Sequence, residues 1–433
     1  MTTPSANQPF VAIACGGTGG HLFPGLAVAE QLVERGCSVA LLVSPKEVDQ
    51  QAVKDVRGME VITLPSVALQ HGSRLAFLRG FWQSWRAARK IFKARPPQAV
   101  LAMGGFTSAP PILAARGVGS TTFLHESNTI PGRANRWLAR RVNQAFLGFP
   151  QSAENFHARE ITVTGTPVRP QFQPGQPEAC RKALGLDPEK PVVLVTGGSQ
   201  GATGLNDLIL SALPLLAKSA PEWQWLHLTG PNDFDKVKQA YAALKLRAVV
   251  HPFLAAMDLA LGAATAVVSR SGASSLAELA AMRLPSLLVP FPHAADNHQY
   301  FNARALADTR AARLLEQKNA SPEKVATALT ELVENTAVRQ TLQAALAQWH
   351  APKAAEEIAE LMLLEVRAKF PEVAIAQHPT SNIQHPTPRQ NPISERKVAG
   401  APAVGVCTLM LLWCLVFGVW CFAPGVWCLP NCS

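Results

Sequence analysis

Short apolar, β-branched runs alternate with helix-periodic segments twice over along this chain, and that alternation restricts the fold more than any other feature of the sequence. In the first half "VAIAC" (11–15), "VALLV" (39–43), "AVLAM" (99–103) and "TTFLH" (121–125) are separated by stretches such as "LAVAEQLVERG". Continuous apolar strands joined by helical connections make a parallel sheet covered on both faces. After the loop-rich "VTGTPVRPQFQPGQPEA" the pattern restarts with "PVVLVTGGSQGATGLNDLI", "WQWLHLTG", "AVVHPF", "AVVSRSG" and "SLLVPF". The expectation is an α/β chain of two doubly wound, Rossmann-like domains, 8–168 and 169–367, facing a cleft between the carboxyl ends of their strands. A chain of 433 residues, 48 % of them apolar, is long enough for two full cores.

A polar, proline-rich linker from Pro371 to Lys397 opens a low-complexity extension, 368–433, in which Val404 to Phe422 are uncharged and long enough to span a bilayer. Cysteines recur there at 407, 414, 421 and 428 and tryptophans at 413, 420 and 427. Gly418, Pro424 and Gly425 speak against a coiled coil. The upstream "QHPTSNI" and "QHPTPRQ" share the period of seven, so tandem repetition in the coding DNA explains the tail as readily as a membrane anchor does. The N-terminus has no basic stretch followed by an apolar one, so no signal peptide is read and the globular part is expected at the cytoplasmic side. Cys15, Cys37 and Cys180 have neither metal-ligand nor redox spacing and are expected as buried apolar residues. The net charge of +10 predicts attraction to an anion without choosing among nucleic acid, lipid head groups and phosphorylated substrates.

Each half opens with strand, glycine-rich turn and helix. "CGGTGGH" can turn sharply and let a ligand approach free amides at a helix N-terminus, where an anion is favoured; a plain tight turn is the alternative. It is no Walker motif, since no Lys-Ser/Thr follows, and no dinucleotide fingerprint, since Leu22 stands where a third glycine belongs. "TGGSQGATGLN" (196–206) offers amides and the Ser199 hydroxyl to a diphosphate. In "SRSGASSLAELAA" a serine- and glycine-rich helix start precedes Glu278, a carboxylate able to accept both hydroxyls of a ribose.

Together "GGTGGHLFPGLAVAEQL", "MGGFTSAP", "HESNTIPGRANRWLAR", "TGTPVR", "GGSQGA", "SRSGASSLAELAA" and "PFPHAADNHQYFNA" closely resemble the MurG family of membrane-associated GT-B transferases, which make lipid II; the match runs over roughly residues 10–350. The resemblance implies metal-independent, inverting transfer of N-acetylglucosamine (GlcNAc) from UDP-GlcNAc to the C4 hydroxyl of the muramyl sugar of undecaprenyl-linked lipid I. It implies no cofactor and no nucleic-acid partner. Carried over by position, Thr18, Gly19, Gly20 and Asn128 serve the donor from the first domain. Arg169, Ser199, Leu254, Ala273, Ser274, Ser275, Leu276, Ala277 and Glu278 bind UDP, and Gln299 reads the sugar hydroxyls. Two departures from the family pattern are His298 before Gln299 and Ser127 in "HESN".

The chemistry agrees: a leaving UDP develops charge that helix N-termini, Ser199 and Arg169 can stabilise, and the acceptor hydroxyl needs a base, for which His21 and Glu126 are the candidates. "RLAFLRGFWQSWRAARKIFKAR" (74–95) carries Phe77, Phe81, Trp82, Trp85 and Phe92 among basic residues and no acidic one, so it reads either as a helix docking on an anionic membrane or as a core-facing amphipathic helix. "RANRWLARR" (133–141) could extend that basic surface. Alternatives to the lipid II-forming transferase are a related GT-B transferase, a UDP-GlcNAc epimerase and a non-catalytic sugar-nucleotide-binding protein.

Overall fold

The structure is a computed structural model that describes residues 8–54, 56–65, 74–198 and 201–372. Both sheets fall in one unit, Met1–Ala376; the other unit, Gln377–Ser433, which includes the apolar stretch 404–422, lies outside the described residues. No helix among the described residues is long and apolar enough to cross a membrane.

The first sheet contains β1 (Phe10–Ala14), β2 (Ser38–Val43), β3 (Glu60–Thr63), β4 (Ala99–Ala102), β5 (Thr121–Glu126), β6 (Gln144–Leu147) and β7 (Ile161–Val163) in the order β3-β2-β1-β4-β5-β6-β7. The second contains β8 (Val192–Thr196), β9 (Gln224–Leu228), β10 (Arg247–His251), β11 (Ala266–Ser269), β12 (Ser286–Leu288) and β13 (Arg313–Leu314) in the order β10-β9-β8-β11-β12-β13. Every pairing is parallel, with Ala12 beside Ala40 and Val100, and Val195 beside His227 and Val268. The strand order reverses between β1 and β4 and again between β8 and β11. Loops leave these switch points in opposite directions and open a crevice at the carboxyl ends.

Alternate side chains of β8 serve different cores. Val192 and Leu194 join Leu226, Leu276 and Leu279 on one face, while Val193 and Val195 join Leu205, Trp223 and Trp225 on the other. The first core gathers Val11, Ile13, Leu41, Leu101 and Phe123 with Leu22, Leu26 and Leu32 of the helix Gly19–Glu34. It also takes in Ile358, Met362 and Val366 of the last described helix, Ala354–Lys369. That helix follows the second sheet in the chain but returns to the first, where Glu356 and Glu360 lie 3.4 and 3.3 Å from Arg35. The expected second domain, 169–367, therefore does not hold its own C-terminal helix: residues 354–367 complete the core of 8–168.

The helix Arg74–Ala94 packs against the helix Ala109–Arg116. Its buried stripe is Phe77, Gly80, Ser84, Ala88 and Phe92, at helical spacing. Phe77, expected at a membrane, is 5 % exposed and faces the interior, which corrects that expectation. Trp82 is exposed under the Arg86 guanidinium, and Phe81 and Trp85 are half-buried, Trp85 with Arg89 over its ring.

Candidate active site

Three helices point their N-termini into the cleft: Gly19–Glu34, Thr203–Ser219 and Ala273–Met282. None has a side-chain cap or an acidic residue in its first turn. Among the helices whose caps are described only those beginning after Ser321 and Asn335 have a side-chain cap, so an open N-terminus is the rule in this chain. Uncapped N-termini leave amides and the positive end of the helix dipole for an anion.

The glycines of "CGGTGGH" divide their tasks. A Cβ on Gly16 would come within 2.4 Å of the Ser44 amide nitrogen, so this glycine is required by close packing on β2. Gly17, at φ 115°, donates its amide to Asp49 Oδ2 at 2.6 Å, and its carbonyl accepts from Lys46 Nζ at 2.9 Å. Only Thr18, Gly19 and Gly20 are left facing the cleft. Pro24, inside the helix, has no amide to give to Gly20, four residues earlier. Ser274 Oγ supplies that bond from the second domain at 2.8 Å, so a proline in the sequence becomes a contact across the cleft.

His21 lies on the backbone of the "MGGFTSAP" turn. A Cβ on Gly104 would stand 3.0 Å from its Cε1, and one on Gly105 3.2 Å from its Nε2; both glycines are at positive φ, 110° and 77°. The ring has no room for any other residue there. Its Nδ1 is buried without a hydrogen-bond partner among the described residues. Desolvation pulls its pKa down and the nearby Glu126 carboxylate opposes that, so the ring is neutral at physiological pH.

Glu126 ends β5 at 2 % exposure. Its Oε1 accepts from the Asn128 amide and Nδ2 at 2.9 and 3.1 Å, and its Oε2 from the Gly132 amide and Asn135 Nδ2 at 3.0 and 2.8 Å. With four donors on two oxygens it organises its loop. Asn128, expected at the donor, gives one Nδ2 hydrogen to Glu126 and accepts from Asn302 Nδ2 on its Oδ1 at 3.0 Å, which leaves one donor and one acceptor position of its amide open.

Asn302 was not singled out by the sequence, although it lies inside "HQYFNA". It is completely buried and fills every hydrogen-bonding position of its amide. Oδ1 accepts from Thr129 N and Oγ1, both at 2.9 Å, and Nδ2 donates to Asn128 Oδ1 and the Ser271 carbonyl. It ties the loop after β5 to the loop after β11. Asp296 adds a second tie, 3.5 Å from Arg133 and 3.1 Å from Arg136. Those two arginines of "RANRWLARR" thus face the other domain.

In the second domain Glu278 sits half-buried in the helix Ala273–Met282. Desolvation pushes its pKa up to about 7, with the Arg169 charge pulling the other way. Arg169 itself lies over Phe23 of the first domain, 4.3 Å from guanidinium carbon to ring centre. Gln299 Oε1 accepts from the Phe291 and Ser271 amides at 3.0 and 3.3 Å, leaving its NH2 without a partner among the described residues. Leu254 is half-buried in the loop after β10, packed on the second core. Ser274, Ser275 and Ala277 are also half-buried on their helix, while Ala273 and Leu276 are buried core residues. Ser199 lies outside the described residues. Among the described residues no three His, Cys, Asp or Glu side chains are grouped to hold a metal ion.

Two all-parallel Rossmann-like sheets, with the helix start at Ser274 of the second bonded to the helix start at Gly20 of the first, have the architecture of a GT-B glycosyltransferase. Residues 11–147 match the glycosyltransferase family 28 N-terminal domain and residues 192–358 its C-terminal domain; the chain belongs to glycosyltransferase family 28. It is 36 % identical over 377 residues to the UDP-N-acetylglucosamine–N-acetylmuramyl-(pentapeptide) pyrophosphoryl-undecaprenol N-acetylglucosamine transferase of Anaeromyxobacter sp. (strain K), covering 83 % of this chain and 93 % of that protein. Among solved structures it is similar to Acinetobacter baumannii MurG, with TM-score 0.64, 28 % identity, and 82 % and 99 % of the two chains covered. A UDP-N-acetylglucosamine 2-epimerase of known structure, at TM-score 0.62, 12 % identity, and 86 % and 100 % coverage, shares the fold alone.

Proposed function

We propose that this chain transfers N-acetylglucosamine from UDP-GlcNAc to the C4 hydroxyl of the muramyl sugar of lipid I, with inversion, forming lipid II. The single observation that carries the reading is the contact across the cleft at the first glycine turn: Ser274 Oγ, on the helix that also carries Glu278, donates to the carbonyl of Gly20, the residue before His21 on its glycine platform. The relatives' printed name supplies the substrates.

In this reading Glu278 accepts the ribose hydroxyls, Gln299 directs its NH2 to the sugar, and Arg169 and the helix N-termini of the second domain hold the diphosphate. His21 Nε2 takes the proton as the acceptor oxygen bonds to the anomeric carbon. The bond to UDP breaks at the same time, and the electron pair leaves on the β-phosphate. A neutral imidazole in a desolvated site suits that task. Glu126 holds the loop and favours the imidazolium that forms, without itself accepting the proton. Lipid I is embedded in the bilayer, so docking on an anionic membrane falls to the exposed face of the helix Arg74–Ala94, with Trp82, Trp85 and Phe81 inserting and the arginines pairing with head groups.

His21→Ala tests the base. Turnover should fall by about 10²–10⁴ while UDP-GlcNAc affinity holds, because a base acts in the transition state. A folded variant with turnover near wild type excludes His21 from that role.

A further inference from the structure

The carboxyl end of the second sheet opens on the cleft. At its other end, where Thr265 and Pro285 lead into the amino ends of β11 and β12, lies a separate cavity of 290 Å³. That is close to the lower bound for small-molecule sites, ~300 Å³. Three guanidinium side chains from three different elements line it: Arg181 of the helix Pro177–Ala183, Arg283 after the helix Ala273–Met282, and Arg339 of the helix Thr336–Trp349. No acidic side chain does.

Two of the three are fixed in the wall by neutral acceptors. Arg181 donates to the Ala263 carbonyl at 2.9 Å, the Pro188 carbonyl at 2.7 Å and Thr265 Oγ1 at 3.2 Å. Arg339 donates to the Val333 carbonyl and to Thr336 Oγ1. Glu178 and Glu189 act on Arg181 through space, opposing the desolvation that lowers its pKa, but among the described residues no carboxylate forms an ion pair with any of the three arginines.

Arg283 needs a different account. It ends its helix at φ 52°, ψ 40°, the left-handed position that glycine ordinarily fills. The capping there is done by backbone: the Arg283 amide donates to the Ala280 carbonyl and the Leu284 amide to the Leu279 carbonyl. A glycine would make both bonds without strain. The exposed guanidinium makes no hydrogen bond or ion pair among the described residues, so the turn does not require it. The helices Met257–Ala263 and Ala273–Met282 both end at this cavity, and their carbonyl ends offset roughly one positive charge between them. Positive charge remains in excess. A carboxylate would add one negative charge, whereas a phosphate ester adds about two and presents three oxygens to planar donor forks.

We infer that this cavity is a binding site for a small phosphorylated molecule, with the phosphate on Arg283, Arg181 and Arg339 and the body of the molecule against Met282 and Pro177. The site stands at the opposite end of the helix that begins near Ser274, so it is distinct from the cleft and does not rest on the donor assignment.

The test titrates inorganic phosphate into the whole chain at constant ionic strength, by calorimetry, with and without excess UDP. Saturable phosphate binding should persist when UDP is present. Arg283→Gly should weaken it roughly tenfold or more, as expected for loss of a charge-assisted hydrogen bond, while binding UDP as wild type does. The same variant should melt at or above the wild-type temperature, because glycine relaxes the left-handed turn. If it does not fold, Arg283→Asn, which also tolerates that conformation, carries the comparison. Phosphate binding that UDP abolishes belongs to the cleft and overturns the inference. So do the absence of saturable binding, undiminished binding by the folded variant, and failure of both variants to fold, which would make the arginine a structural residue.

Discussion

Glu278 ionises where it matters for the donor. With its pKa raised to about 7, the carboxyl keeps its proton well above the usual carboxylate range, and only the charged form accepts both ribose hydroxyls. Donor binding should therefore be present above that pKa and be lost as pH falls through it, so UDP-GlcNAc affinity rises from pH 6 to pH 8. Glu278→Gln should flatten that profile and weaken binding at pH 8 by about 1.5–3 kcal/mol, the range for a hydrogen bond to a charged group. A wild-type affinity that is flat over this range contradicts the assignment. Gly104→Ala should reach His21 without touching a ligand, because its Cβ would strike the imidazole and the position is left-handed. Turnover is expected to drop about tenfold or more with donor affinity intact, measured as the ratio of kcat to donor Kd. His21 and Glu278 were legible in the sequence because their residue types and flanking turns announce chemistry. The Gly104–Gly105 platform, the Asn302 bridge and the saturation of Glu126 were not, since each depends on a partner distant in the chain that no local spacing encodes.

The helix Arg74–Ala94 shows what an element discloses on its own. Its amphipathic pattern and basic excess are visible in the sequence, but which aromatics face inward is decided by packing on Ala109–Arg116, and that contact buries Phe77 and Phe92. The outward set left for a membrane is Phe81, Trp82 and Trp85. Serine at all three should reduce sedimentation with anionic vesicles in a chain shortened after Phe370, where the apolar tail cannot hold the protein on lipid, and should spare activity on a water-soluble acceptor. Raised salt should weaken binding of the unsubstituted chain as well, by screening its arginines. Vesicle binding that survives the triple substitution would move the docking surface elsewhere.

Across the whole molecule, the two-sheet architecture followed from the repeated strand–turn–helix pattern, whereas the return of Ala354–Lys369 to the first core did not, because an apolar helix face carries no address. Met362→Ala should cost about 2–5 kcal/mol, the range for a large-to-small change in a core. The tie between domains predicts that fluorescence of Trp223 and Trp225 in the second core follows far-UV circular dichroism to the same lowered midpoint; an unmoved tryptophan transition would mean that the domains unfold separately. The central claim is that both halves together perform one inverting transfer. Incubating the chain with UDP-GlcNAc and a lipid I analogue and following UDP release and the anomeric configuration of the product tests it most directly. The account predicts stoichiometric UDP release and a β-linked disaccharide, both formed about 10²–10⁴ more slowly by His21→Ala. Bound UDP-GlcNAc without transfer, epimerisation of the sugar at C2, or an α-linked product would contradict it.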